Sequence, residues 1–147
     1  MPKKCYFIDT SALFKRYVKE NGSDLVNQIF AEEADRFISM VTLTEVVSNI
    51  KRLVEIDNLI NEDEFELIKQ AFLGELGSGY LYTIEPGAQI IIKSMELCSD
   101  KYMTPLDAIQ LATALSIANS KPIFLSADQR LNSIAELQGL AIINPAF

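Results

Sequence analysis

Three acidic residues stand where apolar, strand-like runs of this chain turn into helical patterns. They are Asp9, Glu45 and Asp128. Because all strands of a parallel α/β sheet finish at one edge, where ligands bind, we expect the three carboxylates to face a common crevice. Carboxylates that converge repel one another and raise each other's pKa unless cations lie between them. The spacing of these acids therefore points to a cation site.

The chemistry that such a site supports is metal-assisted hydrolysis. Mg²⁺ or Mn²⁺ suits a ligand set made only of oxygen atoms, with water filling the remaining positions. Two such ions about 3.5–4 Å apart can activate a water and stabilise the leaving oxygen of a phosphodiester. The chain contains no histidine, which excludes Ser-His-Asp and Cys-His catalysis and HExxH metalloproteases. A metal-activated water is then the natural nucleophile.

Helix capping is the competing interpretation for these acids, and for a fourth, Asp107. Asp107 opens a helical pattern that no clear strand precedes, so periodicity alone does not group it with the others. Carboxylates and hydroxyls are favoured at helix starts. The candidate caps are Asp9, a capping box of Thr42 with Glu45, a second box of Ser126 with Gln129, and Thr104, Pro105 and Asp107 at N-cap, N1 and N3. Capping does not account for Asp128, which the second box does not need.

The elements that must position these residues alternate between strand and helix. Apolar runs that alternate with helical patterns indicate βα crossovers and a parallel sheet covered on both faces. We therefore expect one domain, residues 1–147, with a three-layer α/β/α fold around a parallel sheet of four to five strands. The predicted strands are residues 5–8, 36–41, 80–84, 122–125 and 140–143, and the predicted helices are residues 10–20, 24–33, 42–55, 62–76, 86–98, 104–119 and 127–137.

Composition limits the classes of protein further. The net charge of −7 argues against binding nucleic acid through the overall field, but not against a nuclease whose acids are neutralised by bound cations. Two isolated cysteines without histidine make neither a disulfide framework nor a zinc site. No apolar run has the length of a membrane span, and the basic start is not followed by a signal peptide, so a cytoplasmic location is expected. Hydrophobic residues make up 49% of the chain, which favours a second copy or a partner that covers apolar surface.

Four ordered segments resemble the motifs of PIN domains, especially those of VapC-type toxins. The first two are Tyr-Phe-Ile-Asp-Thr-Ser-Ala-Leu-Phe-Lys at residues 6–15 and Thr-Leu-Thr-Glu-Val-Val-Ser at residues 42–48. The other two are Leu-Asp-Ala-Ile-Gln-Leu-Ala-Thr-Ala at residues 106–114 and Phe-Leu-Ser-Ala-Asp-Gln-Arg-Leu at residues 124–131, and a late Ile-Asn-Pro at residues 143–145 also fits. The resemblance covers the chain nearly end to end, and it implies a PIN-like fold.

The resemblance also assigns roles to site residues. It implies that Asp9, Glu45 and Asp107 are metal ligands, directly or through water, and that Asp128 is a more variable fourth acid. All four acids would form the catalytic and metal site. The hydroxyls of Thr10, Ser11 and Ser126 would position carboxylates or a metal-bound water, with local capping as the alternative.

The implied activity is that of a Mg²⁺- or Mn²⁺-dependent endoribonuclease, the toxin of a toxin–antitoxin pair. The resemblance implies an antitoxin whose tail lies across the groove, and a homodimer. A stripe around Phe65, Leu67, Phe72 and Leu73 is a candidate dimer surface, with core packing as the alternative. The candidate phosphate contacts are Lys15, Arg16, Lys51, Arg52 and Arg130. The alternative is that these side chains are ordinary solvated surface, with i,i+4 ion pairs Arg16–Glu20 and Lys51–Glu55.

Other functions stay open at this point. Within PIN domains, a housekeeping RNA-processing nuclease is the runner-up. A phosphohydrolase of the haloacid-dehalogenase type would need a second acid two residues after Asp9, where this chain has Ser11. A non-catalytic, Mg²⁺-binding α/β interaction domain of the receiver type would need paired acids near the first strand's end, and Asp9 has no such neighbour. Neither nucleotide-binding glycine motif is present.

Overall fold

A five-stranded sheet, parallel throughout, forms the centre of the molecule. The computed structural model describes residues 3–146, so Met1, Pro2 and Phe147 of the expected domain lie outside the described residues. The strands are β1 (Lys4–Ile8), β2 (Ala34–Ser39), β3 (Tyr82–Ile84), β4 (Ile123–Leu125) and β5 (Ala141–Ile143). The helices are α1 (Thr10–Tyr17), α2 (Ser23–Ala31), α3 (Val41–Glu55), α4 (Glu62–Gly77), α5 (Ala88–Asp100), α6 (Pro105–Ser116) and α7 (Gln129–Leu137), with a short 3₁₀ turn at Ala118–Ser120.

The strand order creates one natural ligand crevice. The strands lie in the order β3-β2-β1-β4-β5, with β1 in the middle. The chain builds β2 and β3 on one side of β1 and then returns to build β4 and β5 on the other side. Ligands of open α/β sheets bind beyond the carboxyl ends of the strands where the order reverses in this way. In this molecule that point lies between the ends of β1 and β4, which are directly hydrogen-bonded neighbours.

The alternation of side chains along β1 separates two layers of helices. Tyr6 and Ile8 face a core formed with α1 to α4, whereas Phe7 faces the core formed with α5 to α7. Phe7 also stacks against Phe124 of the neighbouring strand, with ring centroids 5.9 Å apart. Because successive side chains of a strand point to opposite faces, both faces of β1 are covered. The predicted three-layer α/β/α fold is confirmed.

Only part of the predicted dimer surface on α4 is exposed. Phe65 and Phe72 are buried in the core between α3, α4 and the sheet, whereas Leu67 and Leu73 are exposed. The two phenylalanines therefore serve core packing, which was the alternative interpretation.

No helix within residues 3–146 has the length and apolar character needed to cross a bilayer.

Several predicted boundaries differ from the structure. The strand predicted at residues 36–41 is Ala34–Ser39, because Met40 already has a helical backbone and α3 begins at Val41. The first helix ends at Tyr17 rather than at residue 20, and the helix predicted at residues 104–119 ends at Ser116. Helix α2 begins at Ser23, one residue before its predicted start, and ends at Ala31, two residues before its predicted end. Each difference concerns one to three residues at an end, where local patterns are weakest.

Candidate active site

Asp9 lies at the switch point, directly after β1. Its backbone N–H donates to the carbonyl of Leu125 at 2.9 Å, which ties it to the end of β4. The side chain is only 5% exposed. Oδ2 accepts hydrogen bonds from Ser11 Oγ at 2.6 Å, Ser126 Oγ at 3.0 Å and the Ser11 backbone N–H at 3.4 Å. All the hydrogen bonds that residues 3–146 make to this carboxylate reach Oδ2, which leaves Oδ1 as the oxygen for a ligand.

The two serines also hold the loop after β4 against Asp9. Ser11 Oγ accepts from the Ala127 backbone N–H at 3.0 Å, and Ser126 Oγ accepts from the Asp128 backbone N–H at 3.1 Å. Asn132 donates from Nδ2 to the carbonyl of Ser126 at 2.8 Å. Each hydroxyl thus donates its single proton to Asp9 and accepts a backbone proton in return. The position of Asp128 is thereby coupled to that of Asp9.

Asp128 is the N-cap of α7. Its Oδ1 accepts from the Leu131 backbone N–H at 3.1 Å. The predicted capping box of Ser126 with Gln129 is wrong, because Gln129 is the first residue of the helix and Ser126 lies outside it. Asp9 likewise caps α1. Capping engages only one oxygen of each carboxylate, so it leaves an oxygen on both acids for a further ligand.

Glu45, in contrast, caps nothing. The N-cap of α3 is Met40, without a side-chain hydrogen bond, and Thr42 is buried inside the helix. The predicted capping box of Thr42 with Glu45 is therefore wrong. Glu45 Oε1 accepts instead from Thr10 Oγ1 at 2.9 Å and from Gln110 Nε2 at 3.2 Å. These contacts place Glu45 next to α1 and α6, against Thr10, the residue that follows Asp9.

Gln110 is the site residue that the sequence analysis missed. Its Nε2 donates to Thr42 Oγ1 at 2.6 Å and lies 3.1 Å from Thr10 Oγ1, so one buried amide joins α6 to α1 and α3. Its Oε1 is buried without a hydrogen-bond partner among residues 3–146. A signal was available in the sequence. Gln110 is a polar residue in the apolar stretch of α6, three positions after Asp107 and hence on the same helix face.

Asp107 occupies the third position of α6. Thr104 is the N-cap, accepting from the Asp107 backbone N–H at 3.3 Å, and Pro105 is the first helical residue. This predicted capping pattern is confirmed. Burial raises the pKa of Asp107, as does the negative charge of Asp128, whereas the Thr104 hydrogen bond and the charge of Arg130 lower it. Asp107 is therefore close enough to Asp128 and Arg130 for their charges to change its pKa.

Burial also sets the electrostatics of Asp9. Burial, with a smaller contribution from the charge of Asp107, raises the pKa of Asp9 to about 6, even though the serine hydrogen bonds lower it. Strongly raised carboxyl pKa values in a crevice are typical of functional sites, because burial there is imposed by the fold at a cost to stability. A cation beside Asp9 would remove that cost.

The four acids share one edge of the sheet without meeting at one point. No three acidic or cysteine side chains within residues 3–146 lie close enough together to ligate one ion. The negative charge of Asp107 raises the pKa of Asp9, and that of Asp128 raises the pKa of Asp107. Glu45 instead accepts hydrogen bonds from Thr10 and Gln110. Mg²⁺ in proteins commonly takes one or two carboxylates and keeps several waters. The donor set therefore fits an ion held by one or two of these acids directly and by the rest through water.

The candidate cations have other partners than the sequence suggested. Arg16 pairs with Glu75 at 2.8 Å and Lys51 with Glu62 at 2.6 Å, so the i,i+4 pairs Arg16–Glu20 and Lys51–Glu55 were wrong predictions. Glu20 instead accepts from Lys15, at 2.9 Å. Among the five candidates, Arg130 is the one whose charge acts on a site acid, Asp107.

Replacing Gln110 tests whether this amide positions Glu45. Gln110→Met keeps the volume of the side chain and removes the amide N–H₂ group that lies within hydrogen-bond distance of Thr10, Thr42 and Glu45. We expect the RNA cleavage that the resemblance implies to fall about 10- to 100-fold, as for partners that orient metal ligands elsewhere. The unfolding free energy should fall by about 1–3 kcal/mol, since buried acceptors lose their donor.

Thr113→Val is the matched control for that variant. Thr113 is buried on the same helix, but its hydroxyl donates only to the carbonyl of Ile109, at 2.6 Å. It should lose comparable stability in a urea titration while cleavage rates stay close to those of the unchanged protein. Equal losses of cleavage in the two variants would show that Gln110 acts only through the core.

Comparison with known proteins places this geometry in context. A family model described as PIN domain matches residues 6–137. A toxin–antitoxin complex from Klebsiella pneumoniae is 18% identical, with a TM-score of 0.66 over 95% of this chain and 97% of that chain. FitAB bound to an IR36 DNA fragment is 14% identical, with a TM-score of 0.69 over 97% and 96%. DNA-bound VapBC from Salmonella typhimurium is 13% identical, with a TM-score of 0.64 over 97% and 98%. The comparison with curated protein sequences gives no match.

Proposed function

The chain belongs to the PIN-domain family, whose members are generally nucleases, and from this premise we propose that it is a Mg²⁺- or Mn²⁺-dependent endoribonuclease. We propose further that it is the toxin of a toxin–antitoxin pair, because one of the solved structures with a similar fold is a toxin–antitoxin complex. One observation supports the catalytic part: the buried carboxylate of Asp9 lies at the switch point of the sheet, with one oxygen held by two serine hydroxyls and the other left for a ligand.

The residues proposed to hold the metal are Asp9, Glu45, Asp107 and Asp128, directly or through water. A bound Mg²⁺ or Mn²⁺ would supply an activated water and neutralise charge on the scissile phosphodiester. Asp9 would present Oδ1, because its other oxygen is occupied by Ser11 and Ser126. This is the role that we propose for those two hydroxyls.

Glu45 would be oriented in a similar way from the other side of the crevice. Thr10 and Gln110 both reach its Oε1, which leaves Oε2 for an ion or a water. These hydrogen bonds are made before any ligand arrives, so little reorganisation is needed when substrate and metal bind. Such preorganisation of charged groups is the largest single contribution to the rate enhancement of many enzymes.

We propose an antitoxin protein as a second partner. The acidic crevice and the net charge of −7 are complementary to a basic tail that would place an Arg or Lys among the carboxylates. An apolar groove of about 440 Å³ between α3 and α4, lined by residues that include Leu43, Val47 and Leu76, lies beside the helix that carries Glu45. It offers apolar surface to the antitoxin next to the acidic crevice.

We also propose a homodimer and a cytoplasmic location. The exposed apolar side chains of α5, which include Ile91, Ile92 and Met95, are a better candidate for the subunit contact than the buried phenylalanines of α4. Exposed apolar patches on a small protein commonly mark a protein contact.

The experiment that tests the proposed function is cleavage of a total-RNA pool, with the cut sites mapped by sequencing. We expect cleavage in Mn²⁺ or Mg²⁺, none with excess chelator, and recovery when the metal is restored. Recurrent cuts in a few RNAs would fit a toxin, whereas trimming at the ends of many RNAs would favour a housekeeping processing nuclease.

An aryl phosphate serves as the control substrate in the same buffers. A phosphohydrolase would cleave it and spare RNA, and a non-catalytic Mg²⁺-binding domain would cleave neither. Intact RNA at millimolar Mn²⁺ would contradict the proposal.

A further inference from the structure

An aromatic side chain and a guanidinium lie together beside the acidic end of the sheet. Tyr102, between α5 and α6, is 77% exposed. Arg130, the second residue of α7, donates from Nη2 to the carbonyl of Tyr102 and places its guanidinium carbon 5.7 Å from the ring centroid. The hydrogen bond and the cation–π contact fix the two groups relative to each other.

Both groups border the candidate active site. Tyr102 precedes the helix that carries Asp107 by three residues, and Arg130 follows Asp128 by two. Arg130 lies in the first turn of α7, the helix whose N-cap is Asp128. The pair therefore borders the acidic crevice at the start of the helices that carry Asp107 and Asp128.

Neither side chain is explained by packing. The guanidinium covers part of the tyrosine ring, and an exposure of 77% leaves most of the remaining surface open. Arg130 uses one of its five N–H groups within residues 3–146. An open ring face stacks with any nucleobase, and free guanidinium N–H groups bind phosphate oxygens. A chain with a net charge of −7 needs such a local cation to hold a polyanion.

We propose that Tyr102 and Arg130 form a platform that stacks one base of single-stranded RNA and binds an adjacent phosphate, next to the bond that is cut. This inference rests on the proposed ribonuclease function and deepens it by naming residues that select the substrate. Stacking requires an unpaired base, so the platform favours single strands and loops over duplexes. The aromatic ring contributes affinity, and the guanidinium aligns the backbone with the acids.

The test uses oligoribonucleotides that carry a mapped cut site, either intact or with one abasic nucleotide at a position flanking the cut. Tyr102→Ala should lower kcat/KM on intact RNA by about 5- to 100-fold, the range expected for one lost stacking contact. The abasic RNA should show the same loss with the unchanged protein and no further loss with Tyr102→Ala. Tyr102→Phe, which keeps the ring, should behave as the unchanged protein does.

Arg130→Gln gives a second, independent measurement. The slope of the logarithm of RNA affinity against the logarithm of salt concentration should fall by about one for a lost phosphate contact. Binding is measured by fluorescence anisotropy with Mn²⁺ present and the inactive Asp9→Asn form as background. An unchanged slope would remove Arg130 from the platform.

The chain offers a matched control in Tyr80. It also has an arginine over its ring, Arg36 at 5.9 Å, and accepts from it through its carbonyl at 3.1 Å, but it lies before β3, at the opposite edge of the sheet. Tyr80→Ala should leave cleavage unchanged. If the unchanged protein cuts RNA and Tyr102→Ala cuts equally fast, or loses as much on abasic as on intact RNA, the platform is overturned while the ribonuclease stands. No cleavage by the unchanged protein would overturn both.

Discussion

Asp9→Asn protein should fold normally and cleave RNA at least about 100-fold more slowly than the unchanged protein, a loss of at least about 3 kcal/mol of transition-state stabilisation. The amide keeps the size of the carboxyl group, and its oxygen can still accept the protons of Ser11 and Ser126, which now reach Oδ2. What changes is the second atom, because an N–H₂ group replaces the oxygen that would face the metal and repels a cation. The measurement is the initial rate of cleavage of a mapped RNA at saturating Mn²⁺.

Asp35→Asn is the control for this prediction. It removes the same formal charge from the chain, but Asp35 lies near the amino end of β2, away from the site edge, where its partner is Lys3 at 3.9 Å. Its cleavage rate should stay within about twofold of the unchanged protein, since exposed ion pairs contribute little. Full activity of Asp9→Asn would refute the ligand role of Asp9 and with it the catalytic site proposed for this chain.

Mn²⁺ should raise the melting temperature of the unchanged protein and should fail to do so for Asp9→Asn. A ligand at 100 times its dissociation constant stabilises the folded state by about 2.7 kcal/mol, which for a domain of this size is about 5–10 °C. Because a net charge of −7 is also screened by any salt, the comparison needs NaCl at matched ionic strength. The same rise in NaCl and in Mn²⁺ would indicate screening rather than a site.

The pH dependence of stability, measured in chelator, tests why Mn²⁺ should raise the melting temperature. The pKa of Asp9 is raised from 3.8 to about 6 in the folded protein, so between these pH values the folded state holds more protons than the unfolded state. Stability from this group is complete below pH 4 and is lost as the pH rises through about 6, on the order of 3 kcal/mol. In chelator at pH 8, Asp9→Asn should therefore be more stable than the unchanged protein, and the difference should vanish near pH 4. A constant difference across this range would mean that Asp9 is not buried as a charged group.

The order and type of the elements could be predicted from the sequence because each depends on a local pattern. Apolar runs of strand length and amphipathic helical patterns gave all five strands and seven helices, apart from their ends. The ends were less accurate because a helix start is set by backbone geometry and by the packing of neighbouring elements. Met40, for example, has a helical backbone although nothing in its side chain favours a cap.

The caps show how the same local pattern can have two outcomes. Thr104 with Asp107 forms the predicted cap, whereas Thr42 with Glu45, the same pair type at the same spacing, lies within a helix. The difference is what lies across from each pair. Thr42 and Glu45 face Gln110 and Thr10, which satisfy them with hydrogen bonds from other elements.

The sequence by itself determined which residue types are available: four acids at helix starts, hydroxyls beside them, and no histidine. Only the tertiary structure decided how they are held, namely that Ser126 reaches Asp9 across 117 positions and Gln110 reaches Glu45 across 65. It also decided that the four acids share one edge of the sheet without converging on one point. Hydrogen bonds over such separations depend on strand order and helix packing, which periodicity within a single element does not encode. For the same reason the sequence analysis named Arg130 as a candidate phosphate contact but not Tyr102, because the contact between the two depends on how α6 and α7 pack against the sheet.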